Sequence, residues 1–228
     1  MKKIVVLTGA GISAESGLKT FRDSGGLWEG YDVMQVASIQ GWRENPELVL
    51  KFYNERRAAA LNAKPNAGHL ALKKLEEKFK VIVITQNVDE LHEQAGSSNI
   101  IHLHGEINKA RSSVDENFIV ELKKPWQIKI GDKCPKGSQL RPHIVWFGEQ
   151  VPMMETAMNE CLTADIFMVV GTSLVVYPAA SLINYIPRFS TVYLIDPNIP
   201  PVEGIKNLRK IPEKASVGVP IAVKEIMK

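Results

Sequence analysis

The chain has 228 residues, of which 45% are hydrophobic and 23% are charged, and its formal net charge at pH 7 is +3. This composition is typical of a globular protein with a sizeable core, and it excludes a disordered or fibrous chain. The small net charge gives no electrostatic case for binding nucleic acid or a membrane surface. Two cysteines make no disulfide framework and no apolar run approaches a membrane span, so we expect a cytoplasmic protein.

Six short apolar runs, rich in valine, isoleucine and aromatic residues, are typical of strands. Runs that are apolar throughout indicate a sheet buried on both faces, which is a parallel sheet. Helical patterns lie between them and predict an α/β fold, with a doubly wound parallel sheet and helices on both faces. The predicted strands are 2–9, 79–85, 99–105, 143–148, 165–172 and 191–197.

Two segments interrupt this alternation and predict a small inserted lobe. Residues 30–77 contain two helical patterns, at 46–63 and 65–79, and no strand pattern. Residues 106–142 are polar and irregular, with proline and glycine. We therefore assign these two segments to the lobe. The predicted main domain comprises 1–29, 78–105 and 143–228.

The helix predicted at 46–63 carries an arginine on its apolar face. At about 100° per residue, Arg56 lies between Phe52 and Ala60, with Tyr53 at the border of this face and Arg57 off it. A buried arginine without a carboxylate partner is strongly destabilising. Arg56 therefore predicts either an internal salt bridge or a site for the carboxylate of a ligand, and the alanines that follow it leave space for the second.

Polar or glycine-rich residues follow three of the predicted strands where each strand ends. They are Gly9 to Ser13, Gln86 to Asp89, and Gly171 to Ser173. Open α/β sheets bind ligands at these strand ends, and glycine lets the backbone approach a pyrophosphate. Ala14 replaces the third glycine of a dinucleotide fingerprint and the usual ribose-binding acid is absent, which disfavours an ordinary dehydrogenase. Each piece alone could also be a turn without a ligand or a helix cap.

The segment IHLHG places His102 and His104 two residues apart, and such residues on a strand point to the same side. They could be a metal-binding pair, two core histidines, or one working base beside a bystander. A metal pair needs further ligands, and only Cys134 is near in sequence. We expect His69 to be a structural histidine between helices, and His92 to face the surface or a loop.

Eight segments, in one order along nearly the whole chain, give it a resemblance to the sirtuins, which are NAD-dependent protein lysine deacylases. They read GAGISAESGLKTFR, FYNERR, KPNAGHLAL, TQNVDELHEQAG, HLHGEI, LRPHIVWFGE, GTSLVVYPA and LIDPN. The resemblance implies a Rossmann-like NAD-binding domain. It also implies that the acyl group of a modified lysine is transferred to ADP-ribose, with free lysine, nicotinamide and O-acyl-ADP-ribose as products.

The resemblance also implies roles for individual residues. His104, the histidine before Gly105, would be the general base that removes a proton from the ribose hydroxyls, Asn87 would be a second catalytic residue, and His102 a neighbour only. The residues implied in binding NAD are Gly9, Ala10, Gly11, Ser13, Glu15, Thr20, Phe21, Arg22, Trp28, Gln86, Asn87, Asp89, Gly171, Thr172, Ser173, Asn198 and Ala215. Those implied in binding the substrate peptide are Val145, Phe147, Gly148, Glu149 and Val176.

Tyr53 and Arg56 match the Tyr-x-x-Arg pair of sirtuins that accept succinyl- and malonyl-lysine. A planar guanidinium beside a phenol suits a dicarboxylic acyl tail, because it can bind a carboxylate through two hydrogen bonds. The resemblance therefore implies a desuccinylase and demalonylase that also accepts acetyl groups. The alternatives are a mono-ADP-ribosyltransferase and a non-catalytic NAD-sensing module.

The resemblance fails at the structural zinc that most sirtuins hold with two C-x-x-C pairs. Here the first region, 108–117, has no cysteine and the second has Cys134 alone, while Cys161 lies in a separate helical stretch. One thiolate cannot hold a tetrahedral zinc, so we expect no bound metal. We also expect a monomer that binds acylated-lysine proteins, and neither nucleic acid nor membrane. The segment 106–142 would be held by packing of Pro125, Trp126, Ile128 and Ile130.

Overall fold

The computed structural model describes residues 1–19, 27–28 and 30–228, with Leu27 described in its backbone only. The strands are β1 (Lys3–Thr8), β2 (Leu27–Trp28), β3 (Tyr31–Asp32), β4 (Lys80–Thr85), β5 (Ile100–His102), β6 (Gly105–Ser112), β7 (Ile119–Glu121), β8 (Leu140–Ile144), β9 (Ile166–Val170), β10 (Thr191–Ile195) and β11 (Leu208–Ile211). The helices are α1 (Ala10–Ala14), α2 (Val33–Val36), α3 (Ile39–Glu44), α4 (Pro46–Asn62), α5 (Ala67–Leu75), α6 (Leu91–Gln94), α7 (Met154–Cys161) and α8 (Ala215–Ile226), with a 3₁₀ helix at Ala179–Tyr185.

The predicted parallel sheet is confirmed. Within the described residues it has six strands in the order β11-β10-β9-β1-β4-β5, and all its pairings are parallel. Alternate residues of β1 belong to different cores, with Ile4 and Val6 on one face and Val5 and Leu7 on the other. Helices α5 and α8 cover the first face, while α7 and the 3₁₀ helix cover the second. The sheet is therefore buried on both sides, as its apolar strands require.

Two strands differ from the prediction. The run 143–148 is not part of the parallel sheet, because β8 ends at Ile144 and pairs antiparallel with β6. Strand β11 was not predicted, since it lies at the edge of the sheet and exposes Arg209 and Lys210, so no apolar run marks it. The short apolar run alone did not distinguish a strand of the main sheet from one in a second sheet.

The segment 106–142 was predicted to be irregular, and this is wrong at its two ends and at 119–121, whereas 113–118 and 122–139 are irregular as predicted. Strands β6, β7 and β8 form an antiparallel sheet in the order β7-β6-β8. Buried and half-buried residues do not alternate strictly along β6, and its composition is polar. Its sequence therefore shows no strand pattern. Trp126 and Ile128 are buried as expected, but Pro125 and Ile130 are exposed and do not hold the segment.

The helical insert also differs from its prediction. Residues 30–77 contain the short strand β3, which was not predicted, and four helices rather than two, because short helices start at the capping side chains of Asp32 and Ser38. Helix α5 packs with Leu72 and Leu75 on the main sheet, whereas α4 packs with Trp126 and Trp146 in a separate core. No described helix has both the length and the apolarity that spanning a membrane requires.

The orientation predicted for α4 is wrong at one position. Arg57 is fully buried, whereas Arg56 is only half-buried. The Arg57 guanidinium donates from Nε to the Ile107 carbonyl at 2.9 Å and from Nη1 to Asn54 Oδ1 at 3.0 Å. Burial lowers the pKa of Arg57 to about 10. Asn54 also exchanges hydrogen bonds with the backbone of Ile128, so both side chains attach α4 to the lobe.

His69 and His92 form a buried pair beside the end of β1, so His92 does not face the surface, which was one of its two predicted positions. Their ring centroids are 4.9 Å apart, and each residue is at most 1% exposed. His92 Nε2 lies 3.1 Å from Thr8 Oγ1, and His69 Nδ1 accepts from the Asn66 N–H at 3.3 Å. Burial lowers the pKa of His69 to about 4 and that of His92 well below its usual value.

This pair predicts that mild acid destabilises the fold. Between about pH 4 and pH 6.5 the unfolded chain protonates both histidines and the folded chain does not, so the free energy of unfolding falls as pH falls. His69 removes about 1 kcal/mol between pH 7.5 and 5.5, and His92 acts in the same direction. His102 acts with the opposite sign because its pKa is raised. Urea unfolding at both pH values measures the difference, and a free energy that rises towards pH 5.5 contradicts the prediction.

Candidate active site

The carboxyl ends of β1, β4 and β9 meet at one edge of the parallel sheet, and their loops are in direct contact. The Gly11 N–H donates to the Gly171 carbonyl at 2.9 Å. A Cβ atom on Gly9 would lie 2.7 Å from Cβ of Thr172, and one on Gly11 would lie 2.6 Å from Cα of Gly171. These glycines are therefore required for the contact between the loops, in addition to any contact with a ligand.

Buried polar side chains join the three loops. Asn87 Nδ2 donates to the Gly9 carbonyl and to Ser13 Oγ, both at 3.1 Å, and Ser13 Oγ donates to Asp89 Oδ2 at 2.9 Å. Gln86 Nε2 donates to the hydroxyl of Thr172 at 3.2 Å. Burial raises the pKa of Asp89, although it accepts from Ser13 and from a backbone N–H. The amide of Asn87 is thus fixed before any ligand binds.

His104 is arranged as a neutral base. Its Nδ1 lies 3.1 Å from the Gln86 carbonyl, which can only accept, so Nδ1 carries the proton and Nε2 keeps its lone pair. Burial lowers the pKa of His104 below its usual value, although the hydrogen bond to Gln86 acts in the other direction. At neutral pH the imidazole is therefore uncharged and able to accept a proton.

His102 is arranged in the opposite way. Its Nε2 lies 2.6 Å from Glu93 Oε1 and its Nδ1 lies 3.3 Å from the Asn87 carbonyl. Both partners are acceptors, so both ring nitrogens carry protons when both bonds are made. Burial alone would lower its pKa, but Glu93 raises it above its usual value. Within the described residues no group of three or more metal-binding side chains exists, so these two histidines belong to no such cluster there.

One cavity of about 1170 Å³ connects these loops with the inserted lobe. The predicted residues Thr20, Phe21 and Arg22 lie outside the described residues. Every other predicted site residue lines this cavity: His104, Gly9, Ala10, Gly11, Ser13, Glu15, Trp28, Gln86, Asn87, Asp89, Gly171, Thr172, Ser173, Asn198, Ala215, Tyr53, Arg56, Val145, Phe147, Gly148, Glu149 and Val176. His104 and Arg56 therefore line the same cavity.

The lobe end of the cavity combines a cation with a phenol. The Arg56 guanidinium carbon lies 4.1 Å from the ring centroid of Trp28 and 5.8 Å from that of Phe52. Tyr53 is 1% exposed, and its hydroxyl accepts a hydrogen bond from Trp146 Nε1 at 3.0 Å. Burial raises the pKa of Tyr53 to about 12, so the phenol keeps its proton at neutral pH.

Glu149 was predicted to bind the substrate, and its carboxylate is occupied within the chain. It accepts from Arg141 at 2.7 and 2.9 Å, from Arg111 at 2.9 Å and from the Trp146 backbone N–H at 2.9 Å. Burial alone would raise the pKa of Glu149, but its hydrogen bond with Arg141 lowers it below the usual value. Glu149 therefore fixes the segment that follows β8. Only the solvent-accessible part of the Glu149 side chain can contact a substrate.

Sequence reasoning gave no separate role to several residues that line the cavity. Among them are Trp146, Lys19, Asp196 and Lys214. Trp146 stands inside the quoted segment VWFGE, but neither its type nor its spacing shows that its indole reaches Tyr53, 93 residues earlier. Lys19 and Asp196 lie inside the segments GAGISAESGLKTFR and LIDPN, and Lys214 directly precedes Ala215, but nothing in the sequence assigns these three side chains a separate contact with the cavity.

A parallel sheet with glycine-containing loops and a half-buried histidine at its strand ends, beside a cavity of about 1170 Å³, is typical of an enzyme of the Rossmann-like class. The Sir2 family matches residues 9–178. The chain is 55% identical to an NAD-dependent protein deacylase of Bacteroides thetaiotaomicron, over 96% of the chain and 95% of that protein. It is 50% identical to an NAD-dependent protein deacylase of Helicobacter pylori, over 94% and 93%. The chain belongs to the Sir2 family.

Solved structures agree with this assignment. A Sir2 homologue in complex with NAD is 41% identical to the chain and matches it with a TM-score of 0.90, over 99% of the chain and 90% of that structure. A Sir2 variant with a deacetylated p53 peptide and 3′-O-acetyl ADP ribose is 33% identical and matches with a TM-score of 0.80, over 98% and 92%. The predicted Rossmann-like fold is thereby confirmed.

Proposed function

We propose that the chain is an NAD-dependent protein lysine deacylase that prefers succinyl- and malonyl-lysine to acetyl-lysine. The general activity is the one that its relatives are named for, and it follows from membership of the Sir2 family. The acyl preference is the finer part of the proposal. It rests on one observation, which is that Tyr53 and Arg56 line the same cavity as His104.

The residues at the strand ends fit a bound dinucleotide. Glycine-containing loops and the buried amide of Asn87 converge there, as pyrophosphate and ribose binding requires. Bound NAD would supply a ribose carbon that accepts the acyl oxygen, with nicotinamide as the leaving group. His104 would take a proton through Nε2 from a ribose hydroxyl, while the Gln86 carbonyl holds the ring in the required tautomer.

The lobe end of the cavity suits an acyl tail with a carboxylate. The Tyr53 oxygen already accepts from Trp146, and its hydrogen has no acceptor among the described residues. Arg56 supplies positive charge beside it, and a guanidinium and a phenol together match a carboxylate. Hydrogen bonds to charged groups contribute roughly 1.5–3 kcal/mol each, which is enough for a preference of tenfold or more over acetyl.

A parallel turnover assay tests this proposal. The wild-type protein is given three peptides of one sequence that carry acetyl-, malonyl- or succinyl-lysine, with NAD in excess. We expect kcat/KM for the succinyl and malonyl peptides to exceed that for the acetyl peptide by about tenfold or more. Equal values, or a preference for acetyl, would contradict the acyl preference. Labelled NAD in the same assay separates deacylation, with label in O-acyl-ADP-ribose, from ADP-ribosyl transfer, with label on protein.

We further propose that the lobe needs no zinc. Cys134 Sγ lies 3.0 Å from Ser138 Oγ, which lies 2.8 Å from Ser112 Oγ. Ser112 Oγ also accepts the backbone N–H groups of Val114 and Asp115. One thiol with two hydroxyls does not fit the thiolate and imidazole ligands that a structural zinc requires. The hydrogen bonds give this turn an alternative means of support.

Metal analysis and chelation check this prediction. The purified protein is expected to contain far less than one zinc per chain after dialysis, and EDTA should leave its melting temperature and its activity unchanged. Ser112→Ala should lower the free energy of unfolding by about 1–3 kcal/mol, because it leaves two N–H groups without their acceptor. Stoichiometric zinc, or a large loss of stability on chelation, would show that the hydroxyl network is not sufficient.

A further inference from the structure

Trp146 is fixed more firmly than packing alone requires. Its residue is 2% exposed, and its ring centroid lies 3.5 Å from the guanidinium carbon of Arg141. Its backbone N–H donates to Glu149, which also binds Arg141 through two hydrogen bonds. Trp42 packs on it with ring centroids 5.6 Å apart. The backbone and the ring of Trp146 are thus both held from more than one direction.

The one polar atom of this side chain points at Tyr53. The indole N–H donates to the Tyr53 hydroxyl at 3.0 Å, and both residues line the cavity. A phenylalanine would keep an aromatic ring at this position, although a smaller one, but it has no hydrogen-bond donor. The hydrogen bond therefore depends on the indole N–H and not on the aromatic ring. Any role of this bond must act through the Tyr53 hydroxyl.

We propose that Trp146 determines acyl specificity by setting the direction in which the Tyr53 hydroxyl donates. A phenol hydrogen prefers the plane of its ring, where it has two orientations. A donor on one side of the oxygen excludes one of them, because two hydrogens would meet there. Trp146 supplies that donor. In this proposal the remaining orientation presents the hydroxyl hydrogen to an acyl carboxylate in the cavity that both residues line. This inference rests on the proposed acyl preference.

If Trp146 positions the Tyr53 hydroxyl, its effect on peptide binding depends on the acyl group that the lysine carries. A carboxylate accepts the directed hydrogen bond of Tyr53, whereas the methyl group of an acetyl tail accepts none. Loss of the indole N–H should therefore weaken binding of succinyl-lysine peptides more than binding of acetyl-lysine peptides. A purely structural role of Trp146 would reduce both activities by the same factor.

The test compares Trp146→Phe with a matched control, Trp42→Phe. Trp42 belongs to the same core and touches Trp146, but among the described residues its indole makes no hydrogen bond. We expect Trp146→Phe to lower the ratio of succinyl to acetyl kcat/KM about five- to tenfold, mainly through a higher KM for the succinyl peptide. Trp42→Phe should leave this ratio within about twofold of the wild-type value. Melting temperatures of both variants identify any loss of folding.

A double-mutant cycle with Tyr53→Phe separates an effect through Tyr53 from any other. If Trp146 acts through the hydroxyl, adding Trp146→Phe to Tyr53→Phe changes the ratio by less than about twofold. Additive effects, or equal losses for both peptides, would overturn the role of Trp146 and leave the acyl preference standing. A wild-type protein that does not prefer succinyl or malonyl peptides would overturn the acyl preference and, with it, this inference.

Discussion

His104→Ala is expected to reduce deacylation by about 10²–10⁴-fold while NAD binding survives. The reason is that a positioned general base contributes a factor of this size, and the variant removes the Nε2 lone pair that the Gln86 contact prepares. The NAD-side contacts of Asn87 and Ser13 do not involve this ring. Turnover of a succinyl-lysine peptide measures the first effect, and calorimetric titration with NAD measures the second.

His102→Ala is the matched control for this variant. It removes an imidazole two residues away, which touches Glu93 and the Asn87 carbonyl but does not line the cavity. We expect measurable activity, reduced because the Asn87 carbonyl loses a donor. If the His104 variant kept full activity, or if the His102 variant were the less active of the two, the assignment of the base would be wrong.

The pH profile gives an independent check on the same histidine. Under the proposed mechanism the neutral form of His104 is the active one, and burial lowers its pKa, so activity should persist as pH falls through 6.5. The acid limb of kcat/KM should therefore lie below the usual histidine pKa.

Arg56→Met is expected to lower desuccinylation by about a hundredfold or more, with deacetylation changed by less than about threefold. The carboxylate of the tail loses its charged partner, and breaking hydrogen bonds to a charged group in a buried site removes several kcal/mol of binding free energy. Acetyl-lysine has no such group to lose. The parallel turnover assay with the three acyl peptides measures both values on one preparation.

Arg57→Met provides a control of the same chemical change at the next position. Arg57 is fully buried, does not line the cavity and binds the Ile107 carbonyl and Asn54. Its loss should lower the free energy of unfolding by about 1–3 kcal/mol and reduce both activities together. If Arg56→Met instead reduced succinyl and acetyl turnover equally, Arg56 would be a structural residue and the acyl preference would have lost its basis.

Most of the main sheet could be predicted from sequence because its strands are buried on both faces and read as continuous apolar runs. Strands that are not buried on both faces show no such run. Strand β11 is an edge strand with exposed Arg209 and Lys210, and β6 is a polar strand of the inserted lobe. Ile144 and Trp146, in the run at 143–148, pack in the core of the lobe, and composition does not say which sheet buries a strand.

The site was predictable to the extent that short motifs stand at strand ends. Parallel strands bring such motifs together, so residues from Gly9 to Gly171 could be assigned to one site without coordinates. Side-chain orientation could not be obtained in this way. A single apolar face was assumed for α4, but the helix packs on two partners, so Arg57 is buried and Arg56 only half-buried. Distant partners such as Trp146 and Tyr53 leave no local signal at all.

The two adjacent arginines of α4 differ in their surroundings. Arg57 and Asn54 attach the helix to a strand and a loop of the lobe, while Arg56 and Tyr53 line the cavity, where we propose that they bind the acyl group. None of the described hydrogen bonds joins Arg57 or Asn54 to Arg56 or Tyr53. Substitutions at positions 53 and 56, which are about one helical turn apart, could therefore change the accepted acyl group in the course of evolution. Such a change of substrate would require no change in the fold.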